Sequence, residues 1–295
     1  MTKMVQKYLS YLRYEKNYSL HTEVSYFKDI SQFEDFLKSH CEGVSLQDVD
    51  GDMVRHWMAS LMEEGLSARS VNRKLSSLKS FYRYLLKIGE IAATPMSKVT
   101  GPKINKPLPS FANDSDLDVV LDEGGISGDF VHLRDHTIVE LLYMTGIRRA
   151  ELIGLKMNDV DFSLAQIKVT GKRNKQRIIP LSAGTLRLLQ DYIDERNKLD
   201  AIGGDSFFIR ENGEPLYAML VHRIVNGYLE NIASLEKTSP HVLRHSFATN
   251  MLNNGAEINA VKELLGHSSL ASTEVYTHTS FEELKKIYKK AHPRA

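Results

Sequence analysis

Four stretches of this sequence mix polar and apolar residues in ways that packing alone does not require. TGIRRAEL sets Arg148 just after a glycine suited to ending a helix, with Glu151 three residues further on. TGKRNK sets Lys172 on a turn between two strand-like runs. SPHVLRHSFATNML opens with Ser239–Pro240, a helix-start pair, and then supplies His241, Arg244 and His245. His241 and Arg244, three apart, share a face near the helix N-terminus, where partial positive charge already favours an anion. LLGHSSLASTEVYTH places His267 just past an apolar run, and Tyr276 nine residues later among small polar residues.

Together these supply two guanidiniums, one ammonium, two imidazoles and a phenol, an inventory for attacking a phosphodiester without a metal. Paired arginines can clamp the nonbridging oxygens, whose charge grows in the pentacoordinate transition state. A phenol with an ordinary pKa of about 10 is a weak nucleophile, and a nearby cationic cluster stabilises its phenolate. The departing 5′-oxygen needs a proton, which a lysine on a hairpin can deliver. The product is a phosphotyrosine ester that conserves bond energy, so resealing needs no ATP and no cofactor is implied.

Each residue taken singly has a plainer reading. Tyr276 is one of 13 tyrosines and alone would be a packing residue. His267 would be a helix cap, Arg148 a partner for Glu151, and Lys172 a solvated turn residue. His241, His245 and His267 invite a zinc reading. No cysteine stands near them and no carboxylate has ligand spacing, so no metal is expected. NAVKELLGHSSLASTEVYTH, standing alone, competes as a helix-turn-helix. The joint occurrence of Arg148, Lys172, His241, Arg244, His267 and Tyr276 is what makes the pattern specific.

The elements that must position these residues follow from periodicity. Residues 1–92 read as helices, the first carrying Val5, Leu9 and Leu12 at helical spacing. Ser19 caps a second, striped by Val24, Phe27, Ile30 and Phe33, and a third spans Asp52–Glu63 with Gly65 as its stop. The fourth, SARSVNRKLSSLKSFYRYLLKIG, turns Val71, Leu75, Leu78, Phe81 and Leu85 inward. It turns Arg69, Arg73, Lys74 and Lys79 largely outward, a basic face fit to lie against phosphates. Residues 93–113 hold four of the eight prolines and almost no periodicity, which marks a linker. Residues 114–295 begin with an apolar helix, HTIVELLYMTG, and a short strand near Asp159–Phe162. A hairpin follows, with Ile167, Val169 and Ile178 alternating, and then more helices to the end. The expected fold is mainly α, with a small antiparallel sheet in the second domain.

Composition bounds the class. A chain of 295 residues exceeds the usual single-domain size, and 42% apolar with 25% charged residues is ordinary for a soluble protein. The single Cys41 favours a reducing compartment. The start interleaves charge with apolar residues, unlike a signal peptide, and no apolar run approaches the roughly 18–20 residues of a membrane span. A cytoplasmic protein is expected. The net charge of +1 conceals clustering. Bases dominate residues 66–110, residues 168–177 hold five bases including Lys172, Arg173 and Lys175 with no acid, and the tail after Leu284 is basic throughout. Such clusters on a near-neutral chain point to nucleic acid.

TGIRRAEL, GKRNKQRIIPL, HVLRHSFATNML and LLGHSSLASTEVYTH stand in the order and spacing of the tyrosine recombinases of the phage integrase family, and the chain resembles the Xer type among them. The likeness covers nearly the whole chain, including SARSVNRKLSSLKSFYRYL and the closing HPRA. It implies an N-terminal four-helix, SAM-like core-DNA-binding domain (1–92), a linker (93–113) and an α+β catalytic domain (114–295). It also implies Tyr276 as a nucleophile forming a 3′-phosphotyrosyl link, Arg148 and Arg244 as phosphate clamps, and Lys172 as general acid. His241 and His267 would orient the phosphate and move protons, with Glu151 in support. The implied DNA contacts include Arg69, Arg73, Lys74, Lys79, Arg173 and Lys175. The implied partners are a double-stranded recombination site, a tetramer on DNA with a paralogous Xer recombinase, and activation by a septal DNA translocase.

The implied task is resolving chromosome dimers at a terminus site. Phe281, Leu284, Ile287 and Tyr288 form one face of a last helix, which the resemblance assigns to a neighbouring subunit. Arg149–Ala150 and Arg173 depart from the commoner residues, and Arg173 bears on how the hairpin enters a groove. The competing readings are a phage or transposon integrase, a type IB topoisomerase, a metal-dependent nuclease and a noncatalytic DNA-binding protein. Residues 1–18 leave no room for an integrase's arm-binding domain, and a pure binder has no use for an aligned tyrosine.

Overall fold

The first helix, α1 (Lys3–Ser10), runs on into a π-helical turn over Tyr11–Glu15. The helices that follow start where a capping oxygen precedes an apolar stripe. Ser19 accepts the Thr22 N–H ahead of α2 (Leu20–His40). Asp50 accepts the Asp52 and Met53 N–H groups ahead of α3 (Gly51–Glu63), and Ser67 accepts that of Ser70 ahead of α4 (Ala68–Lys87). Each cap satisfies donors that a helix start leaves unpaired. The stripes meet around Trp57, Phe33, Phe81, Tyr82 and Tyr8, all fully buried.

These coordinates are a computed structural model describing residues 2–104, 112–123, 129–171, 174–230, 232, 235, 238–266 and 278–294. The chain divides into two compact units, residues 1–107 and 108–295. Residues 105–111 of the expected linker lie outside the described residues.

In the second unit, α5 (Asp114–Glu123) precedes α6 (Phe130–Thr145), which is buried almost all round from Leu133 onward and forms the centre of the core. Then come α7 (Arg149–Ile153), the strands β1 (Val160–Asp161), β2 (Gln166–Thr170) and β3 (Gln176–Pro180), and α8 (Ala183–Arg196). The helices α9 (Ala218–Leu229), α10 (Pro240–Asn253), α11 (Ile258–Leu265) and α12 (His278–Ala291) complete the unit. The sheet is antiparallel in the order β1-β2-β3, with Ile167 opposite Ile179, Lys168 opposite Ile178 and Val169 opposite Arg177.

Two sequence expectations need correction. On β3 the inward residues are Arg177 and Ile179, both buried, while Ile178 lies across from exposed Lys168. Alternation with period two leaves no other choice once Ile167 and Val169 face the core. On α4, Lys74 does not point outward: it reaches Asp29 at 3.2 Å and Gln32 at 2.6 Å, and its side chain is 13% exposed. Asp29 is itself buried and also takes two hydrogen bonds from Arg73 and one from Ser77, so the helix surrounds one carboxylate with donors. The helix α12 packs on its own unit. Leu284, Tyr288 and Ala291 are buried against α10, α11 and β3, and the Tyr288 hydroxyl donates to the Met144 carbonyl. The Phe281 side chain lies outside what is described.

Candidate active site

Two helix ends and one strand bring the site together. Helix α6 stops at Gly146, whose φ of 59° is the left-handed conformation a glycine tolerates best. A Cβ there would lie 2.6 Å from Phe247 and 2.9 Å from Leu265, so the close approach of α10 and α11 also demands glycine. Helix α11 stops the same way at Gly266, with φ 64°. These two stops leave carbonyl oxygens without helical partners, and arginines take them.

Arg244, on the first turns of α10, donates to the Gly146 carbonyl at 2.5 Å and to the Leu265 carbonyl at 2.7 Å. Arg148, the N-cap of α7, donates to the Gly266 carbonyl at 3.3 Å. Arg177, on β3, donates through Nε to the Leu264 carbonyl at 2.7 Å. Three successive carbonyls at the end of α11 therefore hold three guanidiniums from three separate elements.

Glu151 stands behind them. Its carboxylate accepts the Arg148 backbone N–H at 2.8 Å and the Arg148 side chain at 2.7 Å. It also accepts two bonds from Arg177, at 3.0 and 2.9 Å, one on each oxygen. Burial alone would raise the Glu151 pKa, but the hydrogen bonds and charges of Arg177 and Arg148 win, and it stays below the ordinary value. The balance at Arg244 runs the other way. Burial, then repulsion from Arg148 and Arg177, pulls its pKa down to about 10, with Glu151 opposing. It remains a cation at neutral pH, in a setting where an added anion is welcome.

The other expected site residues fall as follows. His241 is exposed on the first turn of α10, on the helix that carries Arg244. Lys175 is exposed at the base of the hairpin, where its carbonyl accepts the Gly171 N–H at 2.8 Å. Arg69, Arg73 and Lys79 are exposed on α4. Lys172, Arg173, His267 and Tyr276 lie outside the described residues. Among the described residues no group of His, Cys, Asp and Glu is placed to hold a metal ion, and no helix is long and apolar enough to cross a membrane.

Comparison with known proteins adds the decisive observation. Residues 127–283 match the model of the phage integrase family, and residues 5–89 match that of its N-terminal SAM-like domain. The tyrosine recombinase XerC of Chlorobaculum parvum is 40% identical, with 99% of this chain and 94% of that protein covered. The chain belongs to the phage integrase family. This recombinase is a DNA strand-transfer enzyme, and its reaction is site-specific recombination. The XerC of Bacillus subtilis is 36% identical over 99% of the chain and 96% of that protein. The fold is also that of the XerH site-specific recombinase bound to a palindromic difH substrate. The TM-score there is 0.71 at 24% identity, covering 96% of this chain and 83% of that one.

One residue of the recombinase's cluster, Arg177, escaped the sequence reading. In QRIIPL it looks like a solvated base beside a turn. The available signal was the alternation itself: fixing Ile167 and Ile179 inward forces Arg177 inward too, and a buried arginine demands a carboxylate.

Proposed function

We propose that this recombinase cuts and rejoins two DNA duplexes through a 3′-phosphotyrosyl intermediate on Tyr276. The observation that supports the roles is the convergence of Arg148 and Arg244 on the adjacent carbonyls of Gly266 and Leu265. That point lies immediately before the segment carrying His267 and Tyr276 in the chain.

In this reading the Tyr276 oxygen attacks the scissile phosphorus and the bond to the 5′-oxygen breaks. Lys172 gives the departing 5′-oxygen its proton, and His241 and His267 orient the phosphate and carry the phenolic proton away. Arg148 and Arg244 exchange carbonyl partners for the nonbridging oxygens, charge-assisted bonds that strengthen as negative charge builds. Glu151 holds Arg148 in place. Religation reverses each step on the partner strand, so neither a cofactor nor ATP enters. Arg69, Arg73, Lys79, Arg173 and Lys175 meet the duplex backbone. Lys74 joins them less directly, since it already serves Asp29.

The XerC names of the relatives support a biological reading as well. The recombinase would act in the cytoplasm as a tetramer on double-stranded DNA with a paralogous Xer protein. It would resolve chromosome dimers at a terminus site under a septal DNA translocase. A phage or transposon integrase is the other reading within the same chemistry.

The test uses the full chain and a nicked duplex selected from a random-sequence pool by binding to it. The parent should trap a covalent adduct in EDTA without ATP, linked through Tyr276 to a 3′-phosphate. Tyr276→Phe should bind the same duplex and trap none. An adduct at another residue, or strict dependence on magnesium, would overturn the mechanism.

A further inference from the structure

Arg177 is only 6% exposed on a strand face it shares with Ile179, opposite Val169, and the reaction described above gives it no role. Burying a guanidinium is costly unless every donor direction is met. Here the fork is met from two sides: Nη1 and Nη2 bind the two Glu151 oxygens, and Nε binds the Leu264 carbonyl. The chain crowds around this fork. A Cβ on Gly266 would sit 3.1 Å from Arg177 Cδ and Nη1, and a Cβ on Gly171 would sit 3.1 Å from Glu151 Oε1. Gly171 is the last described residue before Lys172, and β3 is the strand that leaves the same hairpin.

One side chain therefore joins three places: the base of the hairpin, the start of α7 that holds Arg148, and the end of α11. We infer that Arg177 is a positioning residue for strand cleavage. It fixes Glu151 and the Leu264 carbonyl so that Arg148 and the chain leaving Gly266 keep one register. The inference rests on the catalytic roles proposed above for Arg148 and for the segment after Gly266. A lysine at this position keeps the charge but cannot bind two carboxylate oxygens and a carbonyl in one plane, so shape and charge can be tested separately.

The experiment measures three quantities for Arg177→Lys and Arg177→Met in the full chain. These are the melting temperature, the Kd for the selected nicked duplex, and the single-turnover rate of adduct formation at saturating protein. For Arg177→Lys the expected result is a cooperative melt, a Kd within about threefold of the parent, and adduct formation slowed at least about tenfold. For Arg177→Met, if it folds, slowing should approach roughly 10²-fold, the scale of an ångström's misplacement of reacting groups. A split between binding and rate is something a merely structural residue would not produce.

Parental adduct formation by the folded lysine variant overturns the inference. So does a lysine variant that loses binding, rate and folding in proportion, since Arg177 would then serve only the fold. Failure of the parent to form any Tyr276 adduct would instead sink the functional reading. An adduct formed equally well by parent and variant sinks only this inference.

Discussion

Arg148 and Arg244 differ in how firmly they are held, and that difference shapes what their loss should do. Arg148 is braced by Glu151 on its backbone and its side chain, whereas Arg244 is held by the carbonyls of Gly146 and Leu265. Replacing either with alanine should slow adduct formation about 10²–10³-fold, the scale for losing one transition-state donor. A twofold loss in that rate would demote the residue to a structural part. Arg148→Ala should also cost stability, because buried Glu151 loses one of its four hydrogen bonds and a neighbouring positive charge.

A second residue-scale expectation concerns His292, buried between Tyr143, Phe247 and Tyr288 at ring distances of 5.2, 5.5 and 5.3 Å. Burial chiefly, with the charge of Arg294 adding to it, lowers its pKa from 6.5 to about 4 against a Tyr143 backbone bond that opposes the shift. Between those values the unfolded chain binds the proton and the folded one does not. Stability is therefore full above pH 6.5 and falls toward pH 4, by about 3 kcal/mol for a shift of this size. Melting followed over that range should show the slope, and His292→Phe should flatten it. An unchanged slope would assign the acid sensitivity elsewhere.

Helix α4 illustrates how an element can carry two kinds of cation. Arg69 and Lys79 are exposed and available to a duplex, while Lys74 is turned onto buried Asp29. Charge reversal at Arg69 and Lys79 should therefore lower DNA affinity and flatten its salt dependence by about one unit of slope per lost phosphate contact. Lys74→Ala should lower the melting temperature and leave that slope nearly intact. A slope that moves with Lys74 and not with Arg69 or Lys79 would reverse the assignment.

How far the sequence discloses such elements depends on range. The starts of α2 and α4 were legible because a cap acts on N–H groups two or three residues away. The amphipathic pattern likewise showed which face of α12 is apolar. It could not show what the face covers, because Tyr288 finds its hydrogen-bond partner 144 residues earlier in the chain. Arg177 was hidden for the same reason, its carboxylate lying 26 residues upstream, and Lys74 pairs with Asp29 over 45. Motif spacing singled out Arg148 and Arg244. It did not show that three guanidiniums share one helix end.

The cis packing of α12 changes what the tail should do for the molecule. Tyr288 is fully buried, Leu284 and Ala291 nearly so, and Arg294 reaches Asp118 and Asp122 on α5 at 2.9 Å each. Losing one large buried side chain costs about 3–5 kcal/mol, a large share of a domain's total of about 5–15 kcal/mol. Truncation after Ser280 should therefore unfold or severely soften residues 108–295 and take DNA binding with it. A truncated chain that melts like the parent and loses only cooperative pairing would instead give the helix to a neighbouring subunit.

The acceptors of the three arginines at the end of α11 are peptide carbonyls, and this sets the mutational tolerance of the site. A carbonyl is present whatever the side chain, so substitution at Leu264 or Leu265 is judged by packing alone and leaves the cation acceptors in place. Gly266 is the exception, fixed by its positive φ and by its 3.1 Å approach to Arg177. Lineages can thus drift through the apolar residues of this helix end without discharging the pocket, while its terminal glycine has almost nowhere to go.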